Sequence, residues 1–165
     1  MPEKHWFFHR QENRFPEVDF TNKDVIVGFR RLETWILSHN NHFASRNLIA
    51  NFDKNIYKEK TLCGRVYKIS TDKWILADSW LKGYLSRPVK HFIRMEFMQK
   101  DFIKVFGEYG LKDLDKIRHQ TAIKNQSKNW KHKPTFSSEQ IKNIHNQNPL
   151  WPTIQNQLYI EGETK

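Results

Sequence analysis

The stretch Asp24-Val25-Ile26-Val27-Gly28-Phe29 and the residues just after it constrain this chain more than any other feature. The run is short, continuously apolar and rich in β-branched side chains, the signature of a buried strand in a parallel sheet. A helical pattern follows almost at once. Leu32, Trp35, Ile36, His39 and Phe43 recur at spacings of three and four, which puts them on one face of a helix. Strand, short turn, helix is the opening of a βα unit, so the reading is an α/β fold with a short parallel sheet flanked by helices.

The rest of the chain fits around that unit. Residues 1–22 read as an irregular N-terminal segment, and 47–64 as a loop with a short helix. Ser70 and Thr71 offer an N-cap for a helix through Trp74, Ile75, Asp78, Leu81, Tyr84 and Leu85, ended by Arg87-Pro88. Val89 to Met95 alternates and reads as a second strand. Met98, Phe102, Val105, Phe106 and Tyr109 form a helical stripe closed by Gly110. Residues 112–136 form a basic loop, long enough to suggest a functional one. Ser137 and Gln140 make a capping box for a helix through Ile141 and Ile144. Pro149 and Pro152 punctuate its end, and a last short helix covers Ile154 to Tyr159. There is no internal repeat, and the 165 residues read as one domain, 1–165.

Charge bounds the partners. Lys and Arg number 28 against 18 Asp and Glu, a net charge of +10. Such a field favours anionic partners: nucleic acid, a nucleotide with several phosphates, or a sulfated or acidic glycan. No apolar run reaches membrane-spanning length, and no apolar signal core opens the chain. The expected location is cytoplasmic. The lone Cys63 excludes an internal disulfide and reads as a small buried or half-buried residue, with no neighbours to support a catalytic thiol. Trp35, Trp74 and Trp80 read as core.

The chemistry concentrates where the first strand ends. Arg30 follows that strand, and Ser38 lies eight residues further on, in the second turn of the helix. Ligands of open α/β sheets bind at the carboxyl ends of strands, beside helix N-termini. A guanidinium fork suits phosphate oxygens. Ser38 sits roughly 8–10 Å along the helix axis, a gap that an arginine side chain closes, so both groups could grip one phosphate.

This arrangement resembles the 3′-phosphate motif of sulfotransferases that use 3′-phosphoadenosine 5′-phosphosulfate (PAPS). That family places an arginine at a strand end and a serine eight positions later. Here Arg31-Leu32 and Trp35 stand where the family usually has Asn-Pro and a second arginine. Further stretches agree in order. His91 to Phe97 followed by Asp101-Phe102 resembles the family's late strand, and Gly110-Leu111 the end of the helix after it. Lys124 to Lys131 resembles its basic loop with an aromatic near the nucleotide, and Ser137 to Ile141 the helix that follows. The likeness spans about residues 20–159.

The resemblance implies a truncated P-loop-like sulfotransferase fold and PAPS as co-substrate. Arg30, Ser38, Lys124 and Trp130 would bind the nucleotide, Trp130 by stacking on the purine. His5 and His9 are the candidate bases for a hydroxyl or amine acceptor, a carbohydrate among the possibilities. Glu96 reads as structural, orienting the loop after its strand. No metal is expected. The family's N-terminal loop for the 5′-phosphosulfate is missing: about 24 residues precede the strand, and Met1 to Asp24 contains no Gly. The chain would then be a fragment, be completed by a partner protein, or be a relative that binds without catalysing. A small basic nucleic-acid-binding protein is the competing reading, although no helix-turn-helix, zinc-finger or RNA-sheet signature appears.

Overall fold

The computed structural model describes residues 16–17, 19, 21–114 and 134–160. His5, His9, Lys124 and Trp130, most of the basic loop and most of the N-terminal segment lie outside them. In chain order the elements are β1 (Ile26–Phe29), α1 (Leu32–Ser45), α2 (Lys54–Leu62), β2 (Arg65–Lys68), β3 (Lys73–Leu76), α3 (Ala77–Tyr84), β4 (His91–Arg94), a short 3-10 turn (Met95–Phe97), α4 (Met98–Glu108), α5 (Ser138–Gln147) and α6 (Leu150–Leu158).

The expected βα unit is present. β1 runs parallel to β4, with Ile26 opposite His91 and Phe29 opposite Arg94. Val25, Val27 and Phe29 are buried, whereas Ile26 is half-buried and Gly28 exposed. A fully buried inner strand is therefore not what forms. Among the described residues β1 pairs with β4 alone, and its apolar run alternates in burial as an edge strand does.

Two layers of helix enclose the pair. On one side Phe29 packs edge-on against Phe92 (5.7 Å) and tilted against Trp151 (5.4 Å). Leu32, Ile36, Val66, Ala77, Trp80, Leu81 and Ile144 complete that core. Trp35 packs at its rim, 4.6 Å from Trp151. On the other side Ile26 shares a cavity with Phe106, Tyr109 and Leu111, at the end of α4.

The helix expected from the Ser70-Thr71 cap through Leu85 does not form as one element, and residues 65–84 fold differently. They form an antiparallel hairpin, β2 with β3, and only then α3. The pairing opposes Tyr67 to Trp74 and Val66 to Ile75, so Trp74 and Ile75 are strand residues. Asp72 takes a positive φ of 52° in the turn, a conformation that Asp tolerates better than most residues. The free edge of β2 is closed by side chains of α1. Asn40 donates to Arg65 O (2.9 Å) and accepts from Tyr67 N (3.2 Å), while His39 Nε2 meets Tyr67 O at 2.9 Å. Buried polar groups need such partners.

Pro149 and Pro152 open α6 instead of closing α5: Pro149 is its N-cap residue and Pro152 lies in its first turn. Proline is tolerated there because first-turn N–H groups lack intrahelical acceptors. Asp78 supplies the acceptors that α6 needs, taking Leu150 N (2.8 Å) and Trp151 N (3.1 Å). Asn148 returns the link by accepting from Asp78 N (3.1 Å). Cys63 is exposed at the end of α2, which corrects the buried reading.

Candidate functional site

The carboxyl ends of β1 and β4 deliver Arg30-Arg31 and Met95-Glu96 to one edge. α1 starts there without a side-chain cap of its own, since its N-cap residue is Arg31. Groups from distant elements take over. Glu96 Oε1 accepts from Arg31 N (3.2 Å), and Gln155 Oε1 accepts from Leu32 N (2.9 Å). A carboxylate at a helix N-terminus also faces the favourable end of the dipole. The second oxygen of Glu96 accepts from the Tyr159 hydroxyl. The Arg31 guanidinium lies 4.4 Å over the Tyr159 ring. Burial, and next the hydrogen bond to Glu96, push the Tyr159 phenol well above its ordinary range. Trp151 Nε1 donates to Arg30 O at 2.9 Å, anchoring the residue just after β1 to α6.

One layer below, Arg94 fixes the strand end. Its guanidinium forks onto Asp101 (2.7 and 2.8 Å), and its Nη1 donates to Leu158 O at 2.9 Å. Such bidentate pairs hold geometry as well as charge. Glu96, read from the sequence as orienting the loop after its own strand, holds the start of α1 instead, and Arg94, Gln155, Trp151 and Tyr159 help to fix the same corner. Sequence reasoning missed these last four. The partners of Trp151 and Gln155 lie more than a hundred positions away, with no local signal to join them.

The two candidate phosphate groups lie on consecutive parts of the chain, Arg30 just after β1 and Ser38 within α1. Arg30 is half-buried, and its guanidinium makes no ion pair or hydrogen bond with another described residue. Ser38 is exposed, on the outward face of α1. Helical phase groups Ser38 with Arg31 and Thr34, both also exposed, so a polar stripe runs from the strand edge along the helix. Thr34 and Arg31 precede Ser38 by four and seven positions, the spacing that sets all three on one face.

Other charged clusters stand apart. Asp24 Oδ2 accepts from Lys90 Nζ and Tyr109 OH, both at 2.7 Å, and Lys90 and then Tyr109 draw its carboxyl below the ordinary range. His91 Nε2 lies 3.6 Å from Glu108, and His145 Nε2 lies 3.6 Å from Glu33. Among the described residues no group of three or more His, Cys, Asp or Glu could hold a metal ion, and no helix is long and apolar enough to cross a membrane. Compared with protein-family models, curated proteins and solved structures, the chain matches none.

Proposed function

We propose that this chain is a sulfotransferase-like protein that binds the 3′-phosphate of PAPS at the corner between β1 and α1. One observation carries the reading. Arg30 is a half-buried cation without a charge partner among the described residues, at the carboxyl edge of a parallel pair, and an exposed Ser38 follows in the adjoining helix. A guanidinium left uncompensated beside a helix start is suited to an anion. The backbone N–H groups of Arg31 and Leu32 already serve Glu96 and Gln155. The phosphate is therefore gripped by side chains, Arg30 and Ser38, and not by those amides. Arg31 and Thr34 extend the polar surface beside it. Lys124 and Trp130 are assigned to the nucleotide, and His5 or His9 to the acceptor.

In the transfer step the acceptor oxygen or nitrogen bonds to sulfur, and the sulfur–oxygen bond to the 5′-phosphate breaks. The base takes the acceptor proton, and the leaving phosphate keeps the negative charge. A group that holds the 5′ end, from this chain or a partner, completes the reaction.

Thermal melting with adenosine 3′,5′-bisphosphate tests the binding step. At a hundredfold excess over Kd the midpoint should rise by roughly 5–10 °C, and Arg30→Ala should remove the shift. An unchanged midpoint at millimolar nucleotide would refute the reading. Transfer of a labelled sulfuryl group to an acceptor mixture then separates a working transferase from a protein that only binds.

A further inference from the structure

Among the described residues no strand pairs with the outer edge of β1. Val25 O receives the N–H groups of Lys90 and His91, so the odd-numbered residues of β1 point their backbone groups toward β4. Alternation sends the N–H and C=O groups of Ile26 and Gly28 the other way, and no described strand pairs with them. Apolar side chains flank this edge: Met95, 40% exposed, near Gly28, and Tyr109 and Leu111, 41% and 53% exposed, beside Ile26. Unpaired edges with apolar flanks recruit another strand.

We infer that two copies of this chain pair through β1, antiparallel and centred on Val27. Three features select a second copy in this register. Ile26 of each copy faces Gly28 of the other, so the bulky side chain meets the position that has none. Each Ile26–Gly28 pair exchanges both of its N–H···O bonds. Asp24 of each copy comes opposite Arg30 of the other. Lys90 and Tyr109 both bond Asp24 Oδ2, so Oδ1 remains to accept from that guanidinium. Slipping the register by two residues sets Ile26 against Ile26 or Gly28 against Gly28 and separates the opposite charges. The two-fold arrangement also lays Met95 of one copy against the Tyr109–Leu111 end of the other, as a self-complementary interface requires. The backbone pairing and the Ile26–Gly28 fit stand without the phosphate reading, whereas the Asp24–Arg30 pair takes the same guanidinium and therefore belongs to the nucleotide-free chain.

Light scattering on the full chain at tens of micromolar tests it. The expected mass is twice the chain's 20.0 kDa. Gly28→Lys should reduce it to that of one chain with an unchanged far-ultraviolet spectrum, because among the described residues a Cβ at Gly28 meets only Met95 Sδ, at an ordinary 3.5 Å. Asp24→Arg and Arg30→Asp should each give single chains, and the two together should restore the pair. A wild-type chain that stays single, a folded Gly28→Lys that stays paired, or a folded double exchange that stays single overturns the proposal.

Discussion

Glu96 shows how one side chain can hold a corner. Its two oxygens serve an amide at the start of α1 and the hydroxyl of Tyr159, beyond the end of α6. Removing it leaves both donors short of an acceptor, at a cost of about 1–2 kcal/mol. Glu96→Ala should therefore melt roughly 2–8 °C below the wild type, and an unchanged midpoint would mean that the corner is held by other contacts. The roles of single residues were unevenly legible. Glu96 could be read as an orienting group because it follows a strand. Asn40 could not: it is fully buried on a helix, and its reason for being there is the free edge of β2, 25 and 27 residues away. Cys63 was misread because burial is the usual state of a free cysteine, whereas here it ends a helix in solvent.

At the scale of elements, local signals were sound where the chemistry is local. The Ser137–Gln140 capping box forms in both directions, and Gly110 takes the positive φ of 75° expected after a helix. Asp53 caps α2 by accepting from Asn55 N (2.7 Å) and Ile56 N (3.1 Å). The N–H groups of Ile56 and then Asn55 hold its carboxyl below the ordinary value of 3.8. A lowered folded-state value means that the cap stabilises above the ordinary carboxylate range and is lost as the pH falls through the folded value. The loss in melting midpoint on going from about pH 5 to about pH 3 should thus be smaller in Asp53→Asn, which caps without titrating. Equal losses would contradict the cap's contribution. The hairpin was missed because Trp74, Ile75, Asp78 and Leu81 mimic a helical stripe while the first two belong to a strand. Short apolar runs cannot separate the two periods, and the strand partner that decides lies across a turn.

At the scale of the molecule, the described residues form a small parallel pair and a hairpin, joined by α1, whose buried His39 and Asn40 act as a substitute strand. Among the described residues two surfaces keep unpaired groups, the outer edge of β1 and the carboxyl edge with Arg30. The α/β class and the parallel pairing of β1 with β4 were legible, since each strand ends in a helix signal. The contacts that tie α6 to the carboxyl edge were not, because they join residues more than a hundred positions apart. Binding at the corner between β1 and α1 turns on the 3′-phosphate. Calorimetric titration should compare adenosine 3′,5′-bisphosphate with adenosine 5′-monophosphate on the wild type, Arg30→Ala and Ser38→Ala. The bisphosphate should bind the wild type at least about tenfold more tightly, a difference of roughly 1.4 kcal/mol, and both substitutions should erase that preference. Equal affinities for the two nucleotides, or a preference that survives Arg30→Ala, would contradict it.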